Sequence, residues 1–296
     1  MSNNCYTLEN EYFSIEVASL GAELKKVLHK PSQESLLWDG NPSFWAKTSP
    51  VLFPIVGTLK HHRYSHNGSF YSLGRHGFAR EKEFYLEKYT DHEALFVLTS
   101  DASTREIYPF DFKLNLSYQL IGETLKVSYK VENISKQTPL IFSLGAHPAF
   151  RIPMIGVYDE YYLEFVEDQK IKRFPLTEEG LLMTSPEEID LDDGRRLQLT
   201  HELFYLDALV IKSYRSKVIK LYSSSAMYAL YFDRGAFPYL GLWAAKNAPF
   251  VCIEPWQGLA DSLDSNGEFA QKEGVLTLLP GEQWNDYWSI QFKLQP

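Results

Sequence analysis

Apolar and polar residues alternate with a period of two along most of this chain, as strands do when one face is buried and the other wet. Over residues 11–18 the apolar set is Phe13, Ile15 and Val17. Over 112–120 it is Phe112, Leu114, Leu116, Tyr118 and Leu120, and the next run places Leu125, Val127, Tyr129 and Val131 on one face. Ile121-Gly122-Glu123-Thr124, between these runs, reads as a hairpin turn. Further strand-like runs occupy 84–89, 94–99, 209–212, 217–222, 227–232, 250–253 and 287–292. Helical periodicity is confined to short candidates at 185–189 and 200–204. Many strands separated by turn signals mean a sandwich or barrel, not a βαβ fold. Length alone would allow two domains, but large sandwiches often run to 296 residues as one, and 45% hydrophobic content fills a sizeable core. No fixed-period repeat and no linker rich in Pro, Gly or Ser divides the chain. The expected fold is all-β, a large antiparallel β-sandwich forming a single domain over residues 1–296.

Charge and cysteine usage narrow the partners. A formal charge of −9 disfavours nucleic acid, which requires clustered Lys and Arg; dispersed acid is the ordinary solubilising surface. Residues 1–10 lack the basic-then-apolar pattern of a signal peptide. No stretch approaches the roughly 20 apolar residues that cross a bilayer. Cys5 and Cys252 lie far apart with no paired spacing, so neither a disulfide scaffold nor a thiolate zinc site is expected. These observations predict a cytoplasmic protein without nucleic-acid or membrane partners, and they leave its oligomeric state open.

Two stretches, 41–80 and 255–274, break the strand rhythm while keeping aromatic or apolar residues, which marks them as ordered and functional rather than as linkers. Five of the eight histidines lie between His29 and His76, but no HExxH or similar spacing accompanies them, so no metal site is expected. The nucleophile elbow, the phosphate loop and the dinucleotide glycine pattern are absent from the sequence. Three strings remain: Arg75-His76-Gly77-Phe78-Ala79-Arg80, Gly145-Ala146-His147-Pro148-Ala149-Phe150 and Cys252-Ile253-Glu254-Pro255-Trp256-Gln257-Gly258. Taken singly, each has a plainer structural reading, a hydrogen-bonded rim histidine or a loop carboxylate. Yet Glu254 directly follows an apolar run and precedes a proline expected to stop the strand. Partial desolvation there raises a carboxyl pKa and makes it a better base near neutrality. Histidine, near ~6.5 when unperturbed, exchanges protons in the same range.

At these strings the chain resembles the aldose 1-epimerase (galactose mutarotase-like) family, most closely its LacX-like branch. Leu37-Trp38-Asp39-Gly40, Phe44-Trp45 and Ser49-Pro50-Val51-Leu52-Phe53-Pro54-Ile55-Val56-Gly57 look like that branch's early segment. His76-Gly77-Phe78-Ala79-Arg80 is similar to a string shared with hexose-6-phosphate mutarotases. Gly145-Ala146-His147-Pro148 resembles the family's catalytic His-Pro, and Ile253-Glu254-Pro255-Trp256 its catalytic Glu segment. Leu206-Asp207 sits where the family places a sugar-binding Asp, and Leu279-Pro280-Gly281-Glu282 resembles the turn before the last strand.

The resemblance implies a galactose mutarotase-like supersandwich with a small-molecule sugar in an open cleft, and no metal or organic cofactor. It implies exchange of the α and β anomers of a hexose or hexose phosphate, with Glu254 as base and His147 as acid. His76, Asp207, Arg75 and Arg80 would be the substrate-binding residues. One departure stands out: relatives commonly carry arginine where this chain has Thr58. Arg75 either supplies the missing charge or pairs with a carboxylate. The alternative is a non-catalytic carbohydrate-binding protein on the same fold, favoured by Thr58 and opposed by retention of both His147 and Glu254. A glycoside hydrolase fits less well, because hydrolysis ordinarily uses two carboxylates.

Overall fold

The computed structural model describes residues 4–154 and 156–295. Among these residues two large antiparallel sheets form a sandwich, with a smaller four-stranded sheet beside them. The nine-stranded sheet runs Arg196–Gln198, Tyr161–Phe165, Val218–Ser223, Tyr228–Asp233, Gln283–Leu294, Thr124–Asn133, Phe112–Ile121, Glu93–Thr99 and Tyr85–Tyr89. Its spine is the expected hairpin: Ile121 pairs with Thr124, so Gly122 and Glu123 make the turn, with Gly122 at a φ of +53°. Along Thr124–Asn133 burial alternates strictly, and Val127 and Leu125 face Trp288 and Ile290 of the neighbouring strand. Trp288 stacks on Phe232 with centroids 5.5 Å apart, and Phe232 in turn meets Phe150 of the other sheet at 5.9 Å. These aromatic contacts join the two layers.

The eight-stranded sheet runs Glu187–Asp190, Lys170–Phe174, Leu209–Ile211, Tyr239–Trp243, Phe250–Gln257, Leu144–Ala146 and Val51–Leu52. Ala149–Arg151 pairs separately with Phe250–Gln257. Phe250–Gln257 is buried on both faces as far as Trp256, because one face meets the core and the other lies under the irregular segments.

Four expectations change. The helix expected at 185–189 is the edge strand Glu187–Asp190, held against Lys170–Phe174 by ladder bonds and by Arg173–Glu187 and Lys170–Glu188 contacts of 2.7 and 2.6 Å. The candidate at 200–204 is a 3-10 turn, His201–Phe204. A helix the periodicity misses, Ala102–Ile107, is fixed locally by the Asp101 carboxylate, which accepts the Thr104 N–H at 2.8 Å. Pro255 does not stop its strand. Ile253 donates its N–H to Pro148 O, so position 255, two residues on, faces the same flank. There the neighbouring strand is broken between Ala146 and Ala149, and proline forfeits no ladder bond.

Strand Tyr239–Trp243 also escapes the sequence pattern, since Gly241 interrupts it. The glycine is required because a Cβ there would lie 2.3 Å from the Trp256 ring.

Candidate active site

The break in the strand beside Phe250–Gln257 is where the chemistry collects. His147 and Pro148 occupy the gap between Leu144–Ala146 and Ala149–Arg151, and the break lies alongside Glu254 on the adjacent strand. His147 Nε2 and Glu254 Oε2 are 3.4 Å apart, with the two residues only 8% and 1% exposed. Neither carboxylate oxygen, nor His147 Nδ1, has a hydrogen-bond partner among the described residues. Trp45 stacks on the His147 ring at 4.8 Å, and Trp243 meets it edge-on at 5.6 Å.

Burial dominates the electrostatics of the pair. It pushes the Glu254 carboxyl well above the usual carboxylate range, with Arg75 opposing the shift and Asp207 reinforcing it. The Trp256 indole also faces this carboxylate, outside hydrogen-bonding geometry. Burial, helped by Arg75, pulls His147 down to about 3. Both shifts favour the uncharged forms, a protonated carboxyl and a neutral imidazole, the reverse of the order that base and acid labels suggest.

His76 is held by the backbone of Gly57. Its N–H donates to Gly57 O at 2.9 Å, and its Nδ1 accepts the Gly57 N–H at 3.1 Å. Burial first, then His147, Arg75 and Arg80, keep its pKa well below the usual histidine value. A neutral ring whose Nδ1 is an acceptor carries its proton on Nε2, so His76 is a fixed donor. Gly57 cannot be larger: at φ +74° it lies against Ala260, where a Cβ would come within 2.6 Å.

Arg75 pairs with a carboxylate, and that carboxylate is Asp207. Both guanidinium Nη atoms reach Asp207 at 3.2 Å, and the Ala208 N–H donates to the same side chain at 2.8 Å. Arg80 donates to Arg75 O at 2.9 Å and lies 3.8 Å from Glu81. Thr58, in the position where arginine was expected, is buried against Gly180, whose Cβ would meet Thr58 Oγ1 at 2.9 Å and Arg75 Nη1 at 3.6 Å. The chain around Gly180 thus closes over Thr58, with Arg75 at its edge.

All six residues singled out in the sequence line one cavity of about 530 Å³, a size suited to a small organic ligand. Trp243, Phe204 and Lys246 line it as well and were not foreseen. Trp45 was visible only as part of the Phe44-Trp45 string, and Trp243 belongs to the strand hidden by Gly241. Lys246, exposed beside the Tyr205 ring at 5.4 Å, carried no signal at all. His147, Cys252 and Glu254 form the one group of potential metal ligands among the described residues.

The aldose 1-epimerase family model matches residues 4–277. The chain belongs to the aldose 1-epimerase family. Protein LacX of Lactococcus lactis subsp. lactis, in plasmid and chromosomal forms, is 33% identical over 284 residues, covering 92% of this chain and 94% of that one. The structure of a galactose mutarotase related enzyme from Lactobacillus acidophilus superposes with a TM-score of 0.92 at 30% identity, covering 98% of this chain and 97% of its own. A galactose mutarotase-like protein from Lactobacillus casei ATCC 334 gives a TM-score of 0.91 at 28% identity, covering 98% and 100%. The fold is thus the galactose mutarotase-like sandwich that this family uses. No helix among the described residues is long and apolar enough to cross a membrane.

Proposed function

We propose that this family member is a mutarotase, exchanging the α and β anomers of an aldose by acid–base opening and closing of the ring. The observation that carries the reading is the Glu254–His147 pair, buried, 3.4 Å apart and free of other hydrogen-bond partners among the described residues. Ring opening removes a proton from the C1 hydroxyl and delivers one to the ring oxygen, after which rotation about C1–C2 and closure repeat the steps in reverse order. Each group must both give and take a proton within one turnover. A carboxyl and an imidazole this close can pass one proton between them without net charge change, which meets that need. In the bound form Glu254 is the base and His147 the acid. His76 Nε2–H offers a donor to the ring oxygen or a hydroxyl, and Asp207 offers an acceptor.

Arg75 already holds Asp207, which favours a neutral hexose over its 6-phosphate, since a phosphate would have to displace that carboxylate. A protein that only bound sugar would not require an unpaired carboxyl beside an imidazole. The test is direct. Freshly dissolved α-anomers of free and 6-phosphorylated hexoses are followed by polarimetry with catalytic amounts of protein. Equilibration faster than buffer on at least one sugar is expected. Sugar binding by calorimetry with every rate at the buffer value would establish a binding protein instead.

A further inference from the structure

The catalytic pair has a neighbour that the proposed reaction does not use. Cys252 lies two residues before Glu254 on one strand, so the two side chains project to the same side. His147 enters from the strand break. One ligand atom from each residue, a ring nitrogen, the thiol sulfur and a carboxylate oxygen, lies within 4.8 Å of the other two. Zinc bonds of roughly 2.0–2.3 Å to such atoms require tetrahedral ligand separations of roughly 3.3–3.7 Å. The His147–Glu254 edge, at 3.4 Å, already meets that spacing. The sulfur has only to close the remainder, a side-chain adjustment of about 1 Å. Both Glu254 oxygens are buried without hydrogen-bond partners, so a cation there displaces no existing protein contact.

We propose that His147, Cys252 and Glu254 form an inhibitory site for a thiophilic divalent cation of the zinc type, with the fourth coordination position facing the sugar cavity. The Cys252 thiol proton and the Glu254 carboxyl proton both leave for solvent as the bonds to the metal form, and no electron transfer is involved. An ion held there occupies the lone pairs that must move protons. The site is not built for a resident cofactor, because resident zinc sites anchor the second histidine nitrogen. Here His147 Nδ1 has no partner among the described residues. Only the inhibitory consequence rests on the mutarotase reading; the binding does not.

The experiment uses the full chain with Cys5→Ser, since Cys5 is exposed and would itself bind metal. Titration with Co²⁺ should produce a sulfur-to-cobalt charge-transfer band that Zn²⁺ abolishes. Cys252→Ser, added to that background, should remove the band. In the anomer-exchange assay Cys252→Ser should retain basal turnover, and the half-inhibiting Zn²⁺ concentration should rise about tenfold or more. Absence of the band in the Cys5→Ser protein, or a band that survives Cys252→Ser, overturns the site. Equal zinc sensitivity with and without Cys252 overturns its role in inhibition. Should the protein exchange no anomers, the cobalt band alone decides binding, so the two proposals fail separately.

Discussion

Buried polar groups are treated differently in the nine-stranded sheet and beneath the cavity. In the first, three large buried polar side chains are paired. Trp288 Nε1 donates to Tyr129 Oη at 2.8 Å, Tyr118 Oη to Ala22 O at 2.6 Å, and Asn133 Nδ2 to Leu278 O at 2.9 Å. Beneath the cavity Glu254, His147 Nδ1 and Trp256 Nε1 have no hydrogen-bond partner among the described residues. An unpaired buried polar group is costly, and although Ser143 Oγ, His201 Nδ1 and Tyr214 Oη are also unpaired, the gathering of such groups around one carboxylate marks a place built for a ligand. The difference separates residues that hold the sandwich together from residues that the sandwich holds in place.

The comparison breaks first if the sandwich core is not what supports the fold. Phe232→Ala removes a ring that touches both Trp288 and Phe150, and should cost about 3–5 kcal/mol in urea unfolding. Anomer exchange per folded molecule should stay near wild type. A loss below about 1 kcal/mol would show that the layers are joined elsewhere.

Next in size is Lys272→Met. Lys272 Nζ meets Asp261 Oδ1 at 2.8 Å with both side chains 3% exposed, and the second Asp261 oxygen accepts the Lys60 N–H at 2.9 Å. The Asp261 N–H donates to Thr58 O, so the pair ties the loop after Glu254 to the segment that orients His76. Removing the ammonium leaves a buried carboxylate without its counter-charge and should cost about 3 kcal/mol or more. Asp261→Leu/Lys272→Met should recover most of that stability. If it does not, the pair contributes more than charge balance.

Arg75→Ala should hardly touch stability, by less than about 1 kcal/mol, because the Arg75–Asp207 pair is partly in solvent. It should raise KM roughly tenfold with kcat little changed, as loss of one charge-assisted hydrogen bond to substrate or to Asp207 does. Changed kcat with unchanged KM would place Arg75 among the groups that act on the transition state.

The smallest effect concerns pH. Glu254 has a folded pKa raised above its ordinary 4.5 by burial, so the folded state binds that proton more tightly than the unfolded state. Its favourable contribution is complete below the ordinary value and is lost as pH rises through the folded pKa. Glu254→Gln should therefore gain stability relative to wild type as pH climbs from 5 to 8, measured by urea midpoints. A gap that narrows over that window would mean the carboxyl is not desolvated.

How much of this was legible in the sequence depended on what each residue is surrounded by. Strands with one wet face, such as Thr124–Asn133, announce themselves by alternation. Phe250–Gln257, buried on both faces through Trp256, shows only an apolar run, and the proline inside it reads as an ending. Gly241 hides a strand because its reason is the Trp256 ring, which no local pattern contains. The six candidate site residues were found through strings resembling a family, and the structure puts all of them on one cavity. Trp243 and Lys246 were missed because they face that cavity from segments with no such string. That burial shifts Glu254 up and His147 down depends on distant segments, and sequence carries no measure of that.

Whether the buried carboxyl–imidazole pair exchanges anomers is tested by the anomer-exchange rate of Glu254→Gln, followed by NMR magnetisation transfer on the best sugar in the panel. The amide keeps the shape of the side chain and cannot take up the hydroxyl proton. Turnover should fall at least ~10²-fold while sugar affinity stays within a few-fold of wild type. Exchange at near the wild-type rate in a folded, sugar-binding Glu254→Gln protein would contradict the account.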